Sequence, residues 1–561
     1  MPVSHARLRV LFALFAVASL LLAGKLTYWQ TVMRAELLGP ALGQVRSDEV
    51  MPATRGVIRD RNGAILATTV GLRSLYAIPA RIPDVDKPAV AQKLAVLLGR
   101  DAKAIRARLE SGADWTFIHR RLPEATAVAI QALGIPGLGF ETEPKRMYPN
   151  DSVAAHLLGF VNDEGDGQYG VEGAYDTLLR GTPGRLVVER DARDRALPVG
   201  LRQAVPSRNG ADLTLTIDLV IQAAAERELR LAMEKEKATG GTIVVLDPKD
   251  GAILALASAP SFDPSAVAVT DLEALRDRAV SWSFEPGSTM KAITVAAALD
   301  QGLVTPTTTY NDVGFTIIGG RRLNNAVGRA WGPTTVTQLL ERSANAGAVF
   351  VGSKLGAERL HAALRTFGFG APTGVDLTGE QAGTVRPLAE WYPVDVGTAA
   401  FGQGLAATPL QLAAAYAAFA NGGILYRPYV VASRRDADGE HRTAPVAVRR
   451  VISPETAATM RDMLTSTIDN GLAKNAQLSA FSVAGKTGTA QIPDASGSYE
   501  GDEYISSFAG FAPAKDPRFV AVVVLERPQS RLLGTLTATT AFKGLALDAL
   551  RTARVQPDRK P

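Results

Sequence analysis

Ser288 and Lys291 stand three residues apart behind Pro286-Gly287, at the head of a segment that can run as a helix to about Asp300. Positions i and i+3 share a helix face, so the lysine amine is expected beside the serine hydroxyl. Such a hydroxyl becomes a nucleophile when a base takes its proton and donors wait for the oxyanion. Lysine is a base only if burial or a neighbouring charge lowers its pKa. The helix start supplies free backbone N–H groups. The spacing alone is weak, since about one chance Ser-x-x-Lys is expected in a chain of this size from average usage. Ser288 is nevertheless the only serine here with a lysine three residues on. A plain helix start with a serine near its cap reads the same way.

Two further groups add to the pair. Ser343-Ala344-Asn345 precedes a helix-like Ala/Gly/Val stretch and offers a hydroxyl for proton relay and an amide to hold a substrate. On its own the triplet reads as a turn or cap. Lys486-Thr487-Gly488-Thr489 lies in a strand-like run from Ser482 to Ile492, with glycines where another backbone could approach. Its ammonium and hydroxyls suit a carboxylate. Other chemistries find less support. The chain has no cysteine, which excludes disulfides, thiol catalysis and Cys-ligated metals. His5, His119, His156, His361 and His441 form no His-Glu-x-x-His pattern, and no Gly-x-Ser-x-Gly elbow occurs. Lys and Arg number 61 against 56 Asp and Glu, with no long basic run, so no nucleic-acid partner is expected.

The three groups are spread over 200 residues, and a sheet joining distant segments must bring them together. From about residue 205 the texture fits that need. Leu213–Asp218 alternates as a strand, and Val220–Lys235 reads as a helix. Thr242–Asp247 and Ile253–Leu256 form an apolar hairpin about the turn Pro248–Gly251. Thr408–Ala420 is a helix stopped by Asn421-Gly422-Gly423, Arg518–Leu525 a strand, and Leu545–Arg551 a helix. Strands at both ends with helices between predict one mixed α/β domain. A chain of 561 residues needs at least one more domain. Residues 35–205 supply it, with a hairpin about Asn62-Gly63 and helices around Pro88–Leu109.

Val10–Gly24 is an uninterrupted run of small and apolar residues, and Leu8–Trp29 has the length of a membrane span. Lys25 can snorkel, Tyr28 and Trp29 suit an interfacial belt, and Arg7 and Arg9 place the amino terminus in the cytoplasm. A cleaved signal peptide shares the basic start and apolar core, but no convincing Ala-x-Ala site precedes the aromatic pair. Everything after about residue 35 is expected outside the cytoplasm.

Ser-x-x-Lys, Ser-x-Asn and Lys-Thr-Gly in that order is the known signature of penicillin-binding proteins and class A β-lactamases. The surroundings extend the likeness over nearly the whole chain. Phe284-Glu285-Pro286-Gly287 before Ser288, Gly397–Gly404 followed by Thr408–Gln411, Arg55-Gly56 with Asp60–Gly63, and Gly170–Gly173 resemble motifs of class B penicillin-binding proteins.

The resemblance implies a penicillin-binding transpeptidase domain of α/β class with the serine β-lactamase-like fold, over 206–555. It also implies a mixed α+β pedestal, or dimerisation domain, over 35–205. One transmembrane helix over 10–29 would follow a cytoplasmic 1–9, with 556–561 as a tail and no appended C-terminal modules. The implied activity is peptidoglycan D,D-transpeptidation. Ser288 would be the nucleophile, Lys291 its base, Ser343 the relay and Asn345 a donor-peptide contact. Lys486, Thr487, Gly488 and Thr489 would bind the terminal carboxylate, with backbone N–H groups of Ser288 and Thr489 on the oxyanion. Stem peptides and β-lactams are the implied ligands. A SEDS-type glycosyltransferase is the implied partner, since the first region leaves no room for a polymerase domain. No metal or organic cofactor is implied. The implied location is the cytoplasmic membrane, catalytic domain in the periplasm. The Phe284–Gly287 lead-in and Tyr504–Pro513 resemble the septal-division branch more than the elongation branch. A β-lactamase shares the motifs without the anchor and pedestal. A carboxypeptidase differs only in accepting water, and an activator scaffold would carry the site as a vestige.

Overall fold

Along the central strands both alternating sets of residues are apolar. Ile243, Val245, Ala521, Val523 and Leu525 point to one face, and Val244, Leu246, Val520, Val522 and Val524 to the other, all of them buried. Successive side chains of a strand leave opposite faces, so this pattern demands helices on both sides. Each large aliphatic side chain contributes roughly 1.5–3 kcal/mol by leaving water. The computed structural model describes residues 5–37, 46–189, 197, 202–326, 328–492, 503–529 and 531–559. In it five antiparallel strands run in the order Ile253–Ala259, Gly240–Leu246, Phe519–Glu526, Tyr504–Ala512 and Ala484–Gln491. Helices Leu219–Glu236 and Arg531–Thr552 cover one face. Met290–Asp300, Pro409–Ala420 and Pro454–Asp469 belong to the core on the other face. The distant segments thus meet in one sheet, as the strands at both ends of the domain require.

Local chemistry sets the helix starts. Asp218 is the cap of Leu219–Glu236, its carboxylate accepting from Val220 N at 2.9 Å and Ile221 N at 3.3 Å. The expected strand Leu213–Asp218 therefore ends at Leu215. Thr408 and Gln411 form a reciprocal capping box ahead of Pro409–Ala420. Pro88–Leu109 resolves into Lys87–Leu98 and Ala102–Leu109, split where Gly99 turns left-handed. The expected Leu545–Arg551 helix begins far earlier, at Arg531. The added stretch is rich in threonine and glycine, poor helix formers. Burial of Ala538, Ala541 and Phe542 in the core overrides that preference.

The described residues fall into two units, Arg55–Leu179 with Ala211–Pro561, and Met1–Thr54 with Arg180–Gly210. The larger unit also holds a mixed sheet in the order Gly439–Arg442, Val431–Asp436, Asp212–Leu215, Ile58–Arg59, Ile65–Ala77 and Thr116–Leu122, with Leu138–Met147 also on Ile65–Ala77. Its strands come from both the expected pedestal and the expected catalytic segment. The Asn62-Gly63 hairpin forms as read from the sequence, with Gly63 at φ 90°. Asp60 in it is buried and accepts from Asn62 N at 2.9 Å, Ala64 N at 2.8 Å and Leu219 N at 3.2 Å. The hairpin thereby helps cap the first helix beneath the five-stranded sheet. Deeper in this region Glu172, fully buried, takes Arg55 Nε at 2.7 Å on one oxygen and Arg146 Nε at 2.7 Å on the other.

The smaller unit contains a three-stranded antiparallel sheet of Arg46–Met51, Gly184–Glu189 and Arg202–Val205. It also contains the helix His5–Thr31, 27 residues with a mean hydropathy of 2.1 and no buried residue, long and apolar enough to cross a membrane. Residues 1–4 of the expected cytoplasmic segment and Lys560-Pro561 of the expected tail lie outside the described residues.

Candidate active site

Pro286 and Gly287 build the turn that carries Ser288. Gly287 is left-handed at φ 56°, and a Cβ on it would lie 2.9 Å from Thr489 O. Gly287–Thr289 then forms one 3-10 turn before the α-helix Met290–Asp300 begins, so the helix expected from Ser288 starts two residues later. The turn is pinned from several directions. Gly287 N–H donates to Gly402 O at 3.0 Å, Thr289 Oγ1 to Pro286 O at 2.8 Å, and the buried Tyr416 hydroxyl to Thr289 O at 2.8 Å. Gly402 sits at φ 83°, and a Cβ there would fall 2.3 Å from Gly287 O. Ser288 itself is half-buried.

Lys291 is 0% exposed. Its amine donates to Ser343 O at 2.5 Å, Asn345 Oδ1 at 2.8 Å and Ser343 Oγ at 3.2 Å. The direct bond to Ser288 expected from the i, i+3 spacing is not formed among the described residues; the amine is held by the second motif. The reason is the backbone at Ser343. This residue ends the helix Val336–Arg342 in the left-handed region, at φ 53° and ψ 39°. A non-glycine residue there stores about 1–3 kcal/mol of strain, and both its carbonyl and its hydroxyl oxygen accept from the Lys291 amine. Asn345 opens the helix Asn345–Thr366, and its Nδ2 donates to Asn324 O at 2.9 Å, which fixes Oδ1 on Lys291.

Lys486 lies on the outermost strand, Ala484–Gln491, and is also buried, with Nζ 3.1 Å from Thr487 O. Burial pushes its pKa down to about 7. Burial, together with the charge of Lys486, holds Lys291 well below the ordinary lysine range. No carboxylate contributes to either shift. Thr487 is buried and Thr489 half-buried on the same strand. Gly488 has a packing reason to be glycine: a Cβ would lie 2.2 Å from Ser507 Oγ and 2.9 Å from Thr289 Cγ2. The strand thus lies against the serine turn, and the three motifs read from the sequence converge in one place.

Residues 241–545 match the penicillin binding protein transpeptidase domain, and residues 50–215 match the penicillin-binding protein dimerisation domain. The stage V sporulation protein D of Bacillus subtilis is 34% identical, over 98% of this chain and 86% of its own length. The chain belongs to the class B penicillin-binding proteins. The peptidoglycan D,D-transpeptidase FtsI of Escherichia coli is 32% identical over 94% of this chain and 89% of its own. The crystal structure of penicillin-binding protein 3 from Mycobacterium tuberculosis complexed with aztreonam superposes with a TM-score of 0.71 at 28% identity, covering 91% of this chain and 98% of that one. The chain is accordingly a serine-type peptidoglycan D,D-transpeptidase with the penicillin-binding transpeptidase fold and an amino-terminal dimerisation domain.

Several residues that shape the site of this penicillin-binding protein escape a reading by motif. Strands Thr309–Asp312 and Gly332–Thr335 pair, and between them the hairpin Phe315–Ile318 with Arg321–Asn324 turns at Gly319-Gly320. That Gly-Gly pair is a hairpin signal available in the sequence. The buried Asn325 donates to Asp312 at 2.9 Å and accepts from Ala346 N at 3.0 Å, tying the hairpin to the helix that begins at Asn345. Gly402 falls in the Gly397–Gly404 motif and Tyr416 in none, but the contacts they make with Gly287 and Thr289 exist only in the folded chain.

Proposed function

We propose that Ser288 attacks the bond between the two terminal D-alanines of a stem peptide. The serine oxygen forms an ester to the penultimate residue, the C–N bond breaks, and the leaving amine takes a proton. An amine of a neighbouring stem then attacks the ester, forms the cross-link and returns the proton to Ser288. The observation that carries this reading is the buried Lys291 amine, held by two oxygens that only accept and by the Ser343 hydroxyl, which can also donate, with no carboxylate among its partners. A neutral amine has two N–H groups and one lone pair. Ser343 O and Asn345 Oδ1, oxygens that only accept, occupy the N–H groups. The lone pair is left for a hydroxyl proton, as a general base requires. Ser343 Oγ, 3.2 Å from the amine, relays that proton to the leaving D-alanine. Asn345 also holds the donor peptide. The N–H groups of Ser288 and Thr489 stabilise the oxyanion, and Lys486, Thr487 and Thr489 bind the terminal carboxylate. Gly488 lets their backbone lie close to the serine turn. Ala484–Gln491 is the last strand of its sheet, so a donor peptide can extend along its outer edge. β-Lactams acylate the same hydroxyl, a reading supported by the aztreonam complex of the relative.

In this reading residues 206–555 carry the reaction and 35–205 the pedestal. His5–Thr31 anchors the chain in the cytoplasmic membrane with Arg7 and Arg9 on the cytoplasmic side and the catalytic residues in the periplasm. The anchor and pedestal meet a SEDS-type glycosyltransferase. The Phe284–Gly287 lead-in and Tyr504–Pro513 support a septal role; an elongation role would put a fluorescent fusion along the side wall instead of the septum. The mechanism is tested with fluorescent penicillin. Wild type is expected to label and Ser288→Ala to stay dark; an unlabelled wild type, or equal labelling of both, overturns it.

A further inference from the structure

The hairpin region beside Asn345 carries four arginines whose charge the fold leaves unbalanced. Arg321, Arg322 and Arg329 are exposed, Arg342 is half-buried and chain-adjacent to Ser343, and among the described residues none of the four enters an ion pair. Three of them lie on aromatic rings. Arg322 sits 3.7 Å from the centroid of Phe315, while Arg329 at 4.1 Å and Arg342 at 4.9 Å share Trp331. A guanidinium stacked by its face keeps its N–H edge outward, in the fork geometry that pairs with a carboxylate. Arg342 spends one N–H on Thr334 Oγ1 at 2.9 Å, and Arg322 one on Asn324 Oδ1 at 3.0 Å. The Arg329 side chain makes no hydrogen bond among the described residues.

The cluster is rigidly registered to the catalytic residues. Asn324 O holds Asn345 Nδ2 at 2.9 Å, Asn325 Oδ1 holds Ala346 N at 3.0 Å, and Asn325 Nδ2 donates to Arg329 O at 3.0 Å. A preorganised cation loses little entropy on pairing, and its charge adds to that of Lys486 in drawing an anion toward the cleft. We propose that Arg329, stacked on Trp331 beside Arg342, is a specificity subsite that binds a carboxylate of the stem peptide other than the terminal one. The inference rests on the transpeptidase reading of Ser288 and extends it to substrate selection.

The test uses the full-length protein in detergent and a soluble stem-peptide thioester, made once with its internal carboxylate free and once as the carboxamide. Wild type is expected to show a KM roughly 10-fold lower for the carboxylate, the size of a charge-assisted bidentate contact. Arg329→Gln should erase that preference with kcat within about 2-fold, and Arg329→Lys should restore part of it, a point charge without the fork. Penicillin labelling of Ser288 should be unchanged in Arg329→Gln. Equal KM values for the two substrates in wild type, or a preference that survives Arg329→Gln, overturns the subsite, including the case in which the cluster serves a lipid-linked phosphate absent from the soluble peptide. Loss of penicillin labelling in wild type instead overturns the reading of Ser288.

Discussion

Asn345 Oδ1 lies 2.8 Å from Lys291 Nζ, and the other end of the same amide is fixed on Asn324 O. A neutral acceptor at this position steadies the amine without supplying a counter-charge. Asn345→Asp supplies that charge, and it also replaces the Nδ2 donor to Asn324 O with an acceptor. An opposite charge within ~4–6 Å favours the ammonium and shifts a pKa by about 1–3 units. The sign is therefore upward for Lys291, and less of it is neutral at any pH below the new value. We expect penicillin acylation of Asn345→Asp to fall about 10–1,000-fold below wild type at pH 7, and that deficit relative to wild type to shrink as the pH is raised. Stopped-flow acylation rates of the variant and of wild type across pH 6–10 check this, and a variant-to-wild-type ratio that does not rise with pH would count against a base role for Lys291.

The pH profile of wild type follows from both lysines. Lys291 must be neutral to act as base, so its depressed pKa gives a rising limb far below the ordinary lysine range. Lys486 must be charged to hold a carboxylate, and that charge is lost as the pH rises through about 7. The second-order acylation constant reports the free enzyme, so it should rise as Lys291 becomes neutral and decline as the pH passes through about 7 and Lys486 loses its charge. The two amines interact, and the limbs belong to the pair jointly. Lys486→Arg keeps its charge throughout and should remove the decline. A wild-type constant that climbs steadily to pH 9 would sink the assignment.

What the sequence made legible was chemistry carried by residue type and order. Ser288, Lys291, Ser343, Asn345 and Lys486 could be picked out because each belongs to a short motif. A sheet joining distant segments was foreseen in outline because apolar runs now seen as Gly240–Leu246 and Phe519–Glu526 stand at the two ends of the domain with helices between; that both of their faces are buried is seen only in the fold. The partner of Lys291 was not legible, since the i, i+3 spacing points to Ser288 while the left-handed Ser343 supplies the acceptors. Nor was the start of the last helix at Arg531, where packing of Phe542 outweighs a threonine-rich stretch. Tyr416 and Gly402 act on the serine turn across more than 100 residues of chain, a relation that no local pattern encodes.

Gly402 permits a direct test of how closely that turn must be held. Its φ of 83° penalises any side chain, and a Cβ would also meet Gly287 O at 2.3 Å. Gly422 separates the two effects, because at φ 82° its Cβ would have nothing within 4 Å. Gly422→Ala should cost about 1–2 kcal/mol of backbone strain and leave acylation intact. Gly402→Ala should in addition push the turn carrying Ser288, and a displacement near 1 Å is worth about 10²-fold in rate. Melting temperatures and penicillin acylation rates of the two variants, compared side by side, check the difference. Equal acylation in both would mean that the Gly287–Gly402 contact does not position the nucleophile.

Glu172 provides the clearest stability prediction. It is fully buried and divides its two oxygens between Arg55 and Arg146, while Arg55 also reaches Asp176 Oδ1 at 2.7 Å and Arg146 Nη1 reaches Gly56 O at 2.7 Å. Removing one member of a buried ion cluster leaves charge without a partner and costs about 3–5 kcal/mol. Glu172→Gln should therefore lower the denaturation midpoint strongly, since Arg146 loses its only carboxylate among the described residues. Arg146→Met combined with Glu172→Gln removes that stranded charge, with Arg55 still paired to Asp176. The double variant should be more stable than Glu172→Gln alone, the non-additivity expected of residues in direct contact. Chemical denaturation of Glu172→Gln, Arg146→Met and the double variant measures it, and strict additivity would show that Arg146 and Glu172 do not act as a pair.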